Sequence, residues 1–323
     1  MKAIFRTKYG SADILKLKEL DKPVPGDNDV LVKVCAAAVN PLDWHVLRGV
    51  PFLVRLMGFG VMTPKHSILG ADLCGRVEAV GKNVTQFKVG DEVFGAGMGS
   101  FAEYMRIHES RVTLKPASMT FEQAAAVPIA AITALQALRD QGRLQAGQHV
   151  LINGASGGVG TFAIQIAKAL GAQVTGVCSG KNMEMVRSIG ADHVIDYTKD
   201  KFWLTGQVYD LIVDNAAFYS MNKILRALKT GGIYVGIGGS SSTGSIVQAM
   251  VFNPLIAKMK NKTVTSFMAN INQADLVFIR EMLETGKVTP VIDRKYSLAE
   301  TPQAIQYVED GHARGKVVIT FIE

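Results

Sequence analysis

Apolar positions in the first 121 residues fall in short β-type runs, such as 29–36, 72–80 and 91–94, separated by glycine and proline turns. This texture predicts a compact, partly open β-barrel. From residue 122 to residue 286 the pattern changes to longer blocks in which strand and helix periods alternate. Residues 150–153 read as a buried strand. Behind them Val159, Phe162, Ala163, Ile166, Ala167 and Leu170 share one helical face, and Gly171 stops that helix. A strand at 173–178, a helix near 182–189 and a short strand at 193–195 follow. A strand at 209–214, a helix near 221–228 and strands at 232–237 and 263–267 continue the alternation. Such repetition predicts a doubly wound parallel α/β sheet. After a helical stretch at 274–283, residues 288–321 return to the first texture. The tail is therefore expected to rejoin the amino-terminal barrel, giving a discontinuous domain of 1–121 and 287–323 around a sheet domain of 122–286.

The turn between the 150–153 strand and its helix carries the first candidate chemistry. It reads Gly154-Ala155-Ser156-Gly157-Gly158-Val159-Gly160. In the G-x-G-x-x-G pattern the first position makes a tight turn, the second lets backbone approach a pyrophosphate, and the third lets helix and strand pack closely. Those positions are Ala155, Gly157 and Gly160, so the loop predicts a dinucleotide phosphate cradle. A site for NAD usually has an acidic residue about twenty positions further on to hold the ribose 2′-hydroxyl. Here stand Cys178, Ser179, Gly180, Lys181 and Asn182. A 2′-phosphate would meet a hydroxyl, a cation and an amide there, so NADPH is the expected cofactor. The plain alternative for Lys181 is a solvated charge in a turn.

Size and charge narrow the picture. A chain of 323 residues exceeds what one core usually serves, so a second domain is expected. The longest apolar stretch outside the sheet, 50–62, is broken by Pro51, Arg55, Gly58 and Gly60 and is too short to span a bilayer. The first five residues already read as a strand, with a turn at Tyr9-Gly10, so a cytoplasmic protein without a targeting segment is expected. The net charge of +7 is scattered without basic-aromatic clusters, which argues against specific nucleic-acid binding. Cys35, Cys74 and Cys178 form no C-x-x-C pair, and the six histidines lack the helical spacing of a metal motif.

Several short motifs occur in one order along almost the whole chain. They are Asn40-Pro41-Leu42-Asp43-Trp44, Gly70-Ala71-Asp72, Val80-Gly81-Lys82-Asn83-Val84 and Val89-Gly90-Asp91-Glu92-Val93-Phe94. Gly99-Ser100-Phe101-Ala102-Glu103-Tyr104, the glycine loop, Leu170-Gly171-Ala172, Gly190-Ala191-Asp192 and Gly315-Lys316-Val317-Val318 complete the series. In this order the chain resembles the medium-chain dehydrogenases/reductases, and within them the quinone oxidoreductase group. The resemblance implies a Rossmann NADP-binding domain and a GroES-like catalytic domain. Zinc alcohol dehydrogenases of the superfamily have cysteine where Asn40 stands, histidine where Ala71 stands and cysteine near Ile129, so a zinc-independent enzyme is implied.

The implied activity is hydride transfer from NADPH to a quinone or similar conjugated carbonyl. The alternative is an alkenal/enone or 2-enoyl reductase, and the non-enzymatic alternative a noncatalytic NADPH-binding protein like zeta-crystallin. The resemblance puts Asn40 beside the nicotinamide and acceptor with its amide available as a donor, and Asp43 in a turn-ordering role. It leaves the proton donor between His45 and water. Thr133 resembles the nicotinamide-contacting threonine of the family, and Tyr197 the tyrosine near the adenosine 2′-phosphate. Asn215, Gly236, Gly238 and Gly239, which follow two strands of the sheet, are expected at the nicotinamide half. The 50–62 stretch is expected to cover the acceptor, pack as a structural loop or form a dimer contact. Relatives commonly pair edge to edge, which implies a homodimer through the 263–267 strand.

Overall fold

The computed structural model describes residues 1–238 and 253–321. Fifteen strands are found among them, labelled here in chain order. The first seven are β1 (Lys2–Phe5), β2 (Lys16–Glu19), β3 (Asp29–Val39), β4 (Asp72–Val80), β5 (Glu92–Ala96), β6 (Tyr104–His108) and β7 (Val112–Leu114). The next six are β8 (His149–Asn153), β9 (Gln173–Cys178), β10 (His193–Asp196), β11 (Tyr209–Asp214), β12 (Leu228–Ile237) and β13 (Thr263–Phe267). The last two, β14 (Ile292–Ser297) and β15 (Lys316–Thr320), return to the first sheet.

The chain forms two compact units, one of Met1–Ile132, Ile271–Gly286 and Pro290–Glu323, the other of Thr133–Asn270 and Lys287–Thr289. In the first, the strands run in the order β14-β15-β3-β4-β5-β7, with β6 also on β3. The long β3 organises this sheet. Its valines at 30, 32 and 34 are buried on one side, and small Ala36, Ala37 and Ala38 let both faces be covered where β15 and β4 flank it. Ile4, Leu47, Leu73, Phe101 and Ile319 complete the same core. The tail thus pairs with the amino-terminal barrel through β15 on β3.

In the second unit the order is β10-β9-β8-β11-β12-β13, and every pairing is parallel. The expected doubly wound α/β sheet is present. All strands therefore end on one edge, where the loops that bind ligands in such sheets lie. The helix Gly158–Ala169 buries an unbroken run from Gly160 to Ala167, which pins its amino terminus at the end of β8.

The division of units differs in detail from the sequence boundaries at 121/122 and 286/287. The first break falls inside the helix Pro128–Gln136, and the helix Gln273–Glu284 belongs with the barrel. Gln273 supplies the reason: its Nε2 donates to Gln86 Oε1 at 3.0 Å and to the Val112 carbonyl at 3.3 Å. The 50–62 stretch forms a short helix Phe52–Val54 and a kinked turn whose bend lies at Met57 and Gly58. Tyr9 holds it by donating its hydroxyl to the Phe59 carbonyl at 2.9 Å, while Phe52, Leu56, Met57 and Met62 are exposed.

Candidate functional site

Two polar constellations stand out, one in each unit. In the sheet unit the glycine loop leaves β8 through Gly154, whose φ of 75° is the left-handed value that glycine takes without strain. The tight turn is therefore made by Gly154, not by Ala155 at the first motif position. Ala155 is fully buried and its N–H donates to the Val177 carbonyl at 3.0 Å, so the small side chain is packed. A Cβ on Gly157 would meet only the Gly154 carbonyl oxygen, at 3.5 Å, which leaves open approach at the second position. A Cβ on Gly160 would lie 2.2 Å from the same oxygen and 2.8 Å from the Ala155 Cα. Hydrogen at this third position is a condition of the helix seating against the loop.

Gly157 caps the helix, so Gly158, Val159 and Gly160 lie in a first turn whose N–H groups have no intrahelical acceptors. Such a terminus is suited to a phosphate. The neighbouring side chains are tied to it. Asn182 Nδ2 donates to Ser156 Oγ at 3.0 Å and to Ser179 Oγ at 3.2 Å, while Asn182 Oδ1 is buried without a partner. Ser179 and Lys181 follow β9, and Tyr197 follows the adjacent β10, its N–H donating to the Cys178 carbonyl at 3.1 Å. Lys181 and Tyr197 are exposed. The structure thus brings Ser156, Ser179, Lys181, Asn182 and Tyr197 to one corner of the sheet edge.

Asp196, which the sequence reading passed over, lies at the same corner. Its Oδ1 accepts from Thr198 N at 3.0 Å and Thr198 Oγ1 at 2.8 Å. Those two bonds hold its carboxyl below the ordinary aspartate range, and the Gly180 N–H adds to them. Its charge is spent on the Thr198 hydroxyl and on the N–H groups of Thr198 and Gly180.

At the middle of the edge, Asn215 follows β11. Its Nδ2 donates to the Asn153 carbonyl at 3.1 Å, and its Oδ1 is buried without a partner. Fully buried Asp214 organises the turn, accepting from Asn153 Nδ2 at 2.8 Å, Tyr234 OH at 3.0 Å, Ala216 N at 3.0 Å and Ala217 N at 2.9 Å. The sequence signal for this support was an acid at the end of an apolar strand, next to Asn215. Thr133 is buried on the helix Pro128–Gln136. Gly236 lies in β12 and Gly238 just beyond it, whereas Gly239 and the serine-bearing remainder of its loop to 244 lie outside the described residues. The open position at Gly157, the helix terminus and the two unpartnered amide oxygens fit a dinucleotide.

The second constellation is in the barrel unit. Asn40 is buried at the end of β3 and begins the helix Pro41–Arg48. Its Nδ2 donates to Asp72 Oδ2 at 2.9 Å and, through a long contact of 3.4 Å, to the Ala38 carbonyl. Its Oδ1 accepts from Lys316 Nζ at 2.6 Å. The amide expected to stand free as a donor is therefore largely committed within the protein, because strand ends β3, β4 and β15 meet around it. Asp43 is completely buried and accepts from Asn40 N at 2.7 Å and Gly70 N at 3.2 Å. Burial is the main cause that pushes its carboxyl up to about 7, against the pull of the Asn40 N–H; Asp72 adds to the rise and Lys316 opposes it.

His45, a candidate proton donor by resemblance, lies on the same helix, Pro41–Arg48. Its Nδ1 is 2.8 Å from the Val50 carbonyl, which can only accept, so Nδ1 carries the proton and Nε2 of the neutral ring has none to give. Burial also lowers its pKa, and the ring stacks on Trp44 at 3.5 Å. Of the positions where relatives bind zinc, Ala71 and Ile129 supply no donor side chain. Among the described residues no group of three or more His, Cys, Asp or Glu is arranged for a metal.

Comparison with known proteins agrees with this geometry. Residues 26–117 match the family of the alcohol dehydrogenase GroES-like domain, and residues 189–319 match the zinc-binding dehydrogenase family. The chain is similar to the mitochondrial NAD(P)H oxidoreductase RTN4IP1 of Danio rerio, 35% identical over 98% of this chain and 90% of that protein. It is also similar to the 2-methylene-furan-3-one reductase of Solanum lycopersicum, 35% identical over 99% of this chain and 79% of that protein. Among solved structures it is similar to the quinone oxidoreductase of Coxiella burnetii, with a TM-score of 0.87, 30% identity and 99% of both chains covered. The chain belongs to the medium-chain dehydrogenases/reductases, in the quinone-oxidoreductase-like group of nicotinamide-dependent enzymes.

Proposed function

We propose that this enzyme uses NADPH to reduce quinones or similarly conjugated carbonyl compounds, and does so without zinc. The observation that carries the reading is the corner formed by the glycine loop, Ser156, Ser179 and Lys181, with Asn182 Nδ2 holding both serine hydroxyls, which supplies hydroxyls and a cation where an NAD site has a carboxylate. The chain's likeness to a quinone oxidoreductase and to a furanone reductase supports the acceptor class.

In this reading Gly157, Gly158, Val159 and Gly160 hold the pyrophosphate by backbone, with Ala155 packed beneath them. Ser156, Ser179, Lys181, Asn182 and Tyr197 hold the adenosine phosphate end, and Thr133, Asn215, Gly236, Gly238 and Gly239 the nicotinamide end. NADPH, when bound, supplies the hydride. A conjugated carbonyl is already polarised and needs no Lewis acid; it needs a donor toward its developing oxyanion and then a proton. Asn40 serves the first need through the N–H that spends only a long contact on Ala38. The proton comes from water, since His45 holds its own on Nδ1. The tomato relative favours an enone acceptor as the second reading, with the same residues in the same roles.

The homodimer belongs to the same proposal. It is supported by β13, an edge strand with only β12 beside it among the described residues. The cytoplasmic setting is part of it as well; no helix among the described residues is long and apolar enough to cross a membrane.

NADPH oxidation by purified protein with phenanthrenequinone, benzoquinone, acrolein and nonenal, repeated with NADH, tests the function. Quinone turnover with NADPH preference is the expected result, and turnover confined to the enals selects the enone reading. Tight NADPH binding with every acceptor inert would favour the noncatalytic alternative.

A further inference from the structure

Lys316 enters the sequence reading only as part of a motif near the carboxyl terminus, yet its side chain is buried, with 3% exposure. It opens β15, beside the end of β3 and next to the start of β4, since Val317 pairs with Val39 and Asp72 with Ala38. The backbone there is tightly held. Lys316 N donates to the Val291 carbonyl at 2.8 Å, and Gly315, with φ of 84°, has no room for a Cβ, which would lie 2.2 Å from that oxygen. From this position Lys316 Nζ donates to Asn40 Oδ1 at 2.6 Å and to Asp72 Oδ2 at 3.0 Å. Asp72 Oδ2 also accepts from Asn40 Nδ2 at 2.9 Å, which closes a triangle, and Asp72 Oδ1 is anchored by Ile129 N at 2.8 Å.

An ammonium only donates and a carboxylate only accepts. Turning the Asn40 amide over would set its NH2 against Lys316 and its oxygen against Asp72, so the pair admits one orientation of the amide. The same contacts polarise it. Charge drawn toward Oδ1 by the ammonium makes the N–H groups stronger donors. One of these is spent on Asp72 and the other on the long contact to Ala38, so it is the second that can be exchanged for a better acceptor.

We propose that Lys316 is a positioning residue for the reduction: with Asp72 it orients and polarises the Asn40 amide so that its second N–H serves the oxygen of the acceptor. The proposal rests on the reading of Asn40 given under Proposed function. It assigns to Lys316 no contact with substrate or coenzyme.

Lys316→Met alone leaves Asp72 buried without its cation, which destabilises the barrel unit. The informative comparison is therefore Asp72→Asn, which keeps the Lys316 ammonium on Asn40 Oδ1, against Asp72→Asn/Lys316→Met, which removes both charges, with the melts showing that each is folded. Steady-state kinetics, NADPH titration and thermal melts are run on both. On Asp72→Asn and the double variant without coenzyme, asparagine labelled with nitrogen-15 reports exchange of the Asn40 side-chain amide protons, assigned by their loss in Asn40→Leu. The double variant is expected to fold, to bind NADPH as Asp72→Asn does, and to show kcat at least about ten-fold lower than Asp72→Asn. Its Asn40 amide protons are expected to exchange at least about ten-fold faster than in Asp72→Asn. Equal kcat in the two variants, or an unchanged exchange rate, overturns the proposal. If wild-type protein reduces no acceptor, the reduction reading falls by itself and exchange alone decides whether Lys316 holds Asn40: faster exchange sustains the hold, and an unchanged rate overturns it.

Discussion

Alanine at Gly157 and at Gly160 should separate cofactor binding from folding, because the two glycines are needed for different reasons. At Gly160 the added methyl would lie 2.2 Å from the Gly154 oxygen and 2.8 Å from the Ala155 Cα, both backbone atoms. An unstrained contact needs roughly 3.5 Å, so the helix must retreat from the loop by about 1 Å. Overpacking of this kind costs about 1–3 kcal/mol. For a unit of this size each kcal/mol lowers Tm by about 2–4 °C, so Gly160→Ala should melt some 2–12 °C early. At Gly157 the same methyl meets only one oxygen at 3.5 Å, so folding should be untouched. It would occupy the space through which a phosphate reaches the backbone, and losing one hydrogen bond to a charged group costs about 1.5–3 kcal/mol, or about 10- to 150-fold in Kd. Differential scanning calorimetry and fluorescence titration with NADPH measure the two quantities. Normal NADPH affinity in Gly157→Ala, or an unshifted Tm in Gly160→Ala, would refute the reasoning.

Other consequences follow from the same geometry. Lys181→Ala should raise KM for NADPH about ten-fold, leave that for NADH nearly unchanged and leave Tm alone, since the side chain is exposed; equal changes for both coenzymes would remove Lys181 from the phosphate site. His45→Phe should lower kcat by less than the roughly 100-fold expected on loss of a general acid, because the proton on Nδ1 is engaged by the Val50 carbonyl. A drop of that full size would restore His45 as the donor. Asp43 should keep its proton up to about pH 7 in the folded state, against 3.8 for the ordinary side chain. Within that window the native state binds more protons than the unfolded one, so this group's contribution to stability is full below the ordinary value and is lost as pH rises through about 7. A carbon-13 carboxyl titration of Asp43 with a midpoint in the usual aspartate range would contradict this.

Residues 150–170 show why the sheet unit was readable: a buried strand, a glycine turn and an amphipathic helix each leave a period in the sequence. The parallel order follows from their repetition. The same local logic located Gly157 and Gly160, and the separation of Ser179 and Lys181 from the loop was short enough to place them at its side. Assigning the tight turn to Ala155 instead of Gly154 shows its limit, because motif spacing does not report φ. The helix Gln273–Glu284 was legible as a helix but not as part of the barrel unit, since that membership depends on Gln273 reaching Val112 and Gln86.

The sequence by itself determined the two textures, the dinucleotide loop, the missing acid after β9 and the lack of metal donors at Ala71 and Ile129. Each of these is a property of residue type and near spacing. Only the tertiary structure decided that Asn40 has its amide committed, that His45 holds its proton on Nδ1 toward Val50, and that Asp196 is spent on its own turn. It also decided the partners of Lys316, which lies 276 positions from Asn40 and 244 from Asp72 along the chain. These residues meet because β15, β3 and β4 pair side by side, and buried charges must find their partners wherever strand pairing sets them down.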